Sequence, residues 1–278
     1  MNDSFINAMN CQKSTRDWMN SIAENMINAY TPGFRENKVT FKTFLNSAII
    51  DGVDKKNGQG KSLPSTSNEN VYLEGQGYFL LRRDDGKRVY TRLGEFKFDK
   101  EGVYKNPNGY EVQGYILNDK GEIMQGTKPV DADIYNETAL NGGTVDLPTT
   151  NIKLWIDPNN GKYLGKYDEF EIKEDGILYG KADGGKVTTP LYKIAIFNFN
   201  NTGGLKEVKD NIFIETEESG LPVIGRGTIR SGLIEQSNVI MGDNISIFQQ
   251  AKVQIELTNK LISTNKQLLE EALRLVGN

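Results

Sequence analysis

Few side chains in this sequence could do chemistry. Histidine is absent from all 278 residues, which removes the commonest general base, the Ser-His-Asp and Cys-His arrangements and the commonest metal ligand. Cys11 is the only cysteine, so no internal disulfide and no cysteine zinc site can form. A lone thiol in a helical pattern reads as a small packing residue. Carboxylates remain. Asp84-Asp85 and Glu217-Glu218 are adjacent acid pairs of the kind that glycoside hydrolysis employs. Neighbouring acids on a strand point to opposite faces, and acids in a turn are normally solvated, so neither pair reads as catalytic. Asp157 opens the oxygen-rich stretch "DPNNGK", which lacks the remaining acidic positions of a calcium loop. Gly75-x-Gly77 has neither the third glycine nor the following helix of a dinucleotide fingerprint. Tyr78, Phe79, Tyr90, Phe96 and Phe98 read as core rather than as a sugar platform. The sequence predicts no enzyme, no cofactor and no metal.

Composition narrows the partners. Charged residues make up 25% and hydrophobic ones 37%, ordinary for a globular chain. A net charge of −4 and a pI near 5.2 offer no generic surface to nucleic acid or to an anionic membrane. The opening "MNDSFINAMNCQKSTRDWMN" has neither a cationic start nor a continuous apolar segment, so no cleaved secretory signal is expected. No apolar run approaches the roughly 18–20 residues of a membrane span, so no direct membrane insertion is expected.

The elements that position these residues fall into four segments. In 1–50, Phe5, Ala8, Cys11, Thr15, Trp18, Ile22 and Met26 recur at three- and four-residue steps, predicting a helix over 3–28. Thr31, Pro32, Gly33 and Phe34 then turn the chain out of it, because proline lacks an N–H and Gly33 accepts a positive φ. The following "VTFKTFLNSAII" fits a strand or a short helix equally. Residues 51–70 are polar and rich in Gly, Ser and Asn, which predicts a flexible connection. From 71 to 225 short β-rich runs alternate with turn pairs such as Asp85-Gly86, Asn108-Gly109 and Asp175-Gly176, suited to type I′ turns. Phe96 and Phe98 alternate with Glu95, Lys97 and Asp99, as a half-buried strand requires. This body is expected to be antiparallel and sandwich- or barrel-like.

The last segment, 226–278, predicts a second long helix. Ile240, Ile247, Leu261, Leu268 and Leu275 share one seven-residue series; Met241, Phe248, Ile255, Ile262, Leu269 and Val276 share the next. Small residues lie between them. Five heptads at this spacing predict coiled-coil packing with a left-handed supercoil. Two arrangements could cover these faces: a helical hairpin within one chain, or packing against copies. The stripe is two columns wide and the first helix too short to cover both, which favours copies. The expected assembly seam comprises Phe5, Ala8, Trp18, Ile22 and Met26 with the two columns.

The ordered motifs resemble those of the bacterial flagellar axial proteins of the basal-body rod and hook, the distal rod branch most closely. "AENMINAYTPGF" at 23–34 is similar to that family's A-N-N-L-A-N-x-N-T-x-G-F. "EGQGYFLL" and "YTRLGEFKFDKEGVYKNPNGYEVQG" resemble its GDGFF and YTRNGSF segments. "GTIRSGLIEQSNV" resembles its G-x-L-E-x-S-N-V entry into the last helix, carried here by Gly232, Glu235, Ser237, Asn238 and Val239. Glu24, Ile27, Tyr30 and Leu93 depart from the family pattern, and 120–190 aligns with no motif. The resemblance implies an α+β axial protein whose terminal helices from many subunits make a tubular inner layer, with the β domain outside. It also implies an open-ended helical homo-oligomer, contacts with other rod, hook and bushing-ring proteins, and export by the flagellar apparatus without a cleaved signal peptide, to a rod spanning the periplasm. A different class of function fits the residues too: a secreted β-sandwich binding module or adhesin on a self-trimerising helical stalk.

Overall fold

A computed structural model describes residues 2–44, 47–56, 58–125, 128–129, 149–154, 167, 169–209 and 211–276. The chain divides into two compact units, one joining Met1–Gly58 to Ser237–Asn278 and the other formed by Gln59–Gln236.

The first unit holds helix α1 (Asn2–Ile27), strands β1 (Asn37–Phe44) and β2 (Ser47–Lys55), and helix α2 (Met241–Val276). The segment that fitted either strand or helix is therefore β, as its β-branched and aromatic residues favour. β1 and β2 pair antiparallel, from Asn37 opposite Lys55 to Phe44 opposite Ser47, with a register shift between Thr40 and Phe41. The two helices run antiparallel: Gln12 meets Asn259, and Asn25 meets Asn244.

The second unit opens with β3 (Ser62–Pro64), β4 (Val71–Glu74), β5 (Tyr78–Arg82) and β6 (Arg88–Thr91). The short β7 (Lys97–Phe98) and β8 (Tyr104–Lys105) lead into β9 (Glu111–Ile116). β10 (Met124–Gln125) and β11 (Lys128–Pro129) pair with each other, and β12 (Thr150–Asn151) adds to β9. Then come β13 (Glu169–Ile172), β14 (Ile177–Ala182), β15 (Val187–Ile194), β16 (Ile196–Asn198), β17 (Lys206–Lys209) and β18 (Ile212–Ile214). β19 (Val223–Ile224), β20 (Thr228–Ser231) and β21 (Leu233–Glu235) complete the unit. Among the described residues one branched antiparallel sheet of thirteen strands dominates, its spine ordered β13-β14-β15-β9-β5-β6-β18-β17.

Both faces of this sheet are covered. Along β5 successive side chains alternate sides: Phe79 and Leu81 enter a core with Val89, Phe96 and Val112, while Tyr78 and Leu80 enter another with Tyr90, Phe197 and Phe213. Phe96 and Phe98 are buried between exposed Glu95 and Lys97, as their alternation predicts. In the turns, the glycines take positive φ (79° at Gly86, 75° at Gly176) but Asp85 and Asp175 do not. They are therefore not type I′ turns; they use the alternative hairpin solution in which the αL glycine alone absorbs the twist.

The segment boundaries also differ from those expected at 50, 70 and 225. The polar stretch 51–70 contains the end of β2 and all of β3, and β3 pairs with β21. Its polar composition reflects exposed two-stranded pairs: β3 is exposed along its whole length. Likewise 226–236 continues the β unit, since β20 pairs with β4, and α2 starts only at Met241.

Candidate functional site

Two features of the first unit could do something beyond holding it together: the apolar faces of the helices, and a buried polar cluster where the chain leaves α1 and enters α2.

The expected seam residues fall into two groups. Ala8 and Ile22 are buried, while Phe5, Trp18, Met26, Ile247, Phe248, Ile255 and Ile262 are half-buried; the small Ala251 and Thr258 between the columns are buried too. Small Ala251 and Thr258 let α1 approach α2 closely: Cys11 Sγ lies 3.8 Å from Thr258 Oγ1, and Gln254 Nε2 donates to Cys11 Sγ at 3.5 Å. The Met241 column, with the small residues beside it, is thus the face that meets α1 within one chain. Ile255 and Ile262, both half-buried, lie on that face. The other column is open except at half-buried Ile247: Ile240, Leu261, Leu268 and Leu275 are exposed, joined by Val253, Leu257 and Leu273, and Leu269 of the Met241 column is exposed as well. On α1, Ile6 and Met9 are exposed.

The polar cluster accounts for the asparagines in these stripes. Asn25, at one edge of the α1 stripe, is 2% exposed, and Asn244 is 1% exposed. Asn25 Nδ2 donates to Asn244 Oδ1 at 3.2 Å and to the Asn37 carbonyl at 2.9 Å, while its Oδ1 accepts from the Asn37 N–H at 2.7 Å. Asn244 Nδ2 donates to Glu36 Oε1 at 2.8 Å, and Lys56 Nζ reaches Glu36 Oε2 at 2.7 Å. Asn238 Oδ1 accepts from the Glu36 N–H at 2.6 Å, and its Nδ2 donates to the carbonyls of Lys56 and Gly58. Buried polar groups of this kind cost stability unless paired, and here they are paired to each other. The cluster fixes how α1, β1, β2 and α2 meet. Of its members only Asn238 was among the expected site residues. Asn25, Glu36, Asn37 and Asn244 were missed, although an Asn interrupting an apolar stripe is the signal that could have found two of them.

After α1 the chain turns through Thr31, Pro32, Gly33 and Phe34. The Thr31 N–H donates to the Asn28 carbonyl and the Phe34 N–H to the Thr31 carbonyl. Gly33 has φ 69°, a region that β-carbon-bearing residues avoid. Phe34 is buried, with Lys55 Nζ 4.9 Å from its ring centre.

In the second unit, Glu235 proves to be half of a buried ion pair. Arg92 Nε donates to Glu235 Oε2 at 2.6 Å, with both side chains almost fully enclosed. The guanidinium also donates to the carbonyls of Leu73, Gly75 and Gly77, and Glu235 Oε1 accepts the Gly60 N–H at 2.9 Å. One cation thereby holds the "EGQGY" loop and the carboxylate just before the unit ends. Gly232 takes φ 72°, and Ser237 Oγ accepts the Val239 N–H at 3.2 Å.

Nothing among the described residues converges as a catalytic centre. Asp84 and Asp85 sit on an exposed turn where Asp85 accepts the Lys87 N–H, and Glu217 and Glu218 on another. Tyr90 donates to Glu215 at 3.0 Å; burial first, and that carboxylate second, push its phenol far above its ordinary range. The Asp157 stretch lies outside the described residues. Among the described residues, no cluster of three or more His, Cys, Asp or Glu could hold a metal ion, and no helix is long and apolar enough to cross a membrane.

Comparison with known proteins agrees with the motifs. Residues 72–180 match the family model of the flagellar hook protein FlgE/F/G D1 domain. The chain is similar to the flagellar basal-body rod protein FlgG of Bacillus subtilis, at 26% identity over 98% of each chain. It is similar to FlgG of Caulobacter vibrioides at 23% identity over 90% of each. The flagellar hook protein FlgE of Borreliella burgdorferi is 30% identical across 64% of this chain and 43% of its own.

Proposed function

We propose that this chain is a structural subunit of the flagellar basal-body rod and hook family and that it builds the rod by self-assembly through its terminal helices. Copies add through the open column of α2 into a coiled-coil-like, open-ended helical tube that transmits torque and encloses an export channel. Similarity to FlgG over nearly the whole length, against partial coverage of FlgE, supports a rod subunit rather than a hook subunit. Its partners are then further copies, the neighbouring rod, hook and bushing-ring proteins, and the flagellar export apparatus, which would take it to the periplasm-spanning rod without a cleaved signal.

The observation that carries this reading is the second apolar column. Leu261, Leu268 and Leu275 remain 52–78% exposed after α1 has packed against α2. A regular apolar stripe on a folded helix marks an interaction surface, and the seven-residue spacing suits another helix. Electron microscopy and sedimentation of the purified chain test it. Tubes or filaments growing with concentration are expected, and Leu261→Asp with Leu268→Asp should abolish them while leaving the circular dichroism unchanged. A discrete trimer would instead favour a stalked binding module, and a wild-type chain that stays monomeric would refute self-assembly.

A further inference from the structure

The two ends of the helical hairpin complement each other chemically. At one end α1, the start of α2 and the β1–β2 hairpin enclose a groove of about 440 Å³, with Trp18, Ile22, Phe41 and Ile247 as its apolar wall. Phe41 meets Trp18 edge-on at 5.3 Å yet keeps 44% of its surface open. Ser21 also lines this groove; it is 8% exposed, and its buried hydroxyl has no hydrogen-bond partner. A hydroxyl so placed is destabilising until something supplies the missing bond. On the rim, Lys56 answers Glu36 at 2.7 Å, and Lys38 adds a further positive charge.

The far end of α2 carries what this groove lacks. Leu268, Glu271 and Leu275 are spaced three and four residues apart and so share one face. All three are exposed. Ile247 and Leu275 are 28 residues apart on one helix, a separation of about 42 Å at 1.5 Å per residue. The leucine end cannot reach its own groove.

We propose that the α2 end of a second copy seats in this groove, placing Leu268 and Leu275 against Trp18, Ile22, Phe41 and Ile247. Glu271 then accepts the Ser21 hydroxyl and balances Lys38. Groove and insert lie at opposite ends of the same unit, so the contact is heterologous and head-to-tail, and it repeats without needing to close. This rests on the reading that the terminal helices self-assemble, and it names one joint of that assembly.

The test uses the full-length chain. With Cys11→Ser as background, Ser21→Cys combined with Leu275→Cys should give a ladder of covalent dimers, trimers and larger species on oxidation. Either new cysteine alone should stop at dimers. Separately, Phe41→Glu and Leu275→Asp should each raise the half-assembly concentration at least tenfold, and a 1:1 mixture of the two should recover dimers only. If Phe41→Glu unfolds, Lys38→Glu replaces it; it should weaken assembly and be rescued by Glu271→Lys. Failure to form a ladder, or assembly of the variants at the wild-type concentration, would overturn this joint while leaving self-assembly intact. A wild-type chain that never assembles would overturn both.

Discussion

Replacing Arg92 with methionine should destabilise the β unit more than any loss of packing volume explains. The guanidinium is 1% exposed and serves four acceptors: Glu235 and the carbonyls of Leu73, Gly75 and Gly77. Methionine fills much of the space but takes the cation away from the buried Glu235 carboxylate, which still accepts the Gly60 N–H. Removing one partner of a buried ion pair costs about 3–5 kcal/mol, because the other charge stays buried without compensation. Against a typical total stability of about 5–15 kcal/mol that is a large fraction. With a urea slope of about 2–3 kcal/mol/M, the unfolding midpoint followed by circular dichroism should fall by about 1–2 M. Arg92→Met combined with Glu235→Leu removes the stranded charge as well. The double variant should therefore be more stable than the sum of the single losses predicts, by about 2–3 kcal/mol. Single losses under about 1 kcal/mol, or strict additivity, would refute the assignment of a shared buried pair.

Three further outcomes are expected. Gly94→Ala would place a β-carbon 1.8 Å from the Val71 carbonyl oxygen, which is backbone and cannot step aside, so a loss of at least about 1–3 kcal/mol in chemical denaturation is expected. Asn244→Ala takes one partner each from buried Asn25 and Glu36 and should cost about 1–3 kcal/mol, measured by thermal loss of the helical signal. Burial opposes ionisation of Asp99, but the Lys105 ammonium and the N–H groups of Val103 and Glu101 outweigh it, and its carboxyl is held below the usual 3.8. Its contribution is therefore fully present above pH 3.8 and lost as the pH falls through the lower folded value. Asp99→Asn should flatten that part of an acid-unfolding curve.

What the sequence made legible follows from periodicity. Three- and four-residue steps marked α1 and seven-residue series marked α2, whose start at Met241 lies well inside the expected segment. The two-residue alternation of Phe96 and Phe98 gave the buried face of a strand, because burial imposes that spacing directly. Thr31-Pro32-Gly33-Phe34 was readable as an exit because Pro32 and Gly33 limit the backbone in themselves. The division of α2 into an inner and an outer column was not readable, since Ile255 and Leu261 are equally apolar. The face on which small Ala251 and Thr258 admit α1 decided it. Residues 51–70 misled because strands bonded through their backbones need no apolar side chains when exposed, as in β3. The role of Asn25 depends on Asn37 and Asn244, which chain segments 12 and 219 residues away bring beside it. Arg92 and Glu235, 143 residues apart, are coupled only by the folded sheet.

The exposed column of α2 is most directly tested by amide hydrogen exchange, followed residue by residue over 257–276, first in dilute monomer and then in assembled material. Shelter of Leu261, Leu268 and Leu275 among copies predicts slowing by about a hundredfold or more on assembly, equivalent to about 2.7 kcal/mol. Equal protection in both states would mean that this stripe makes no contact between subunits.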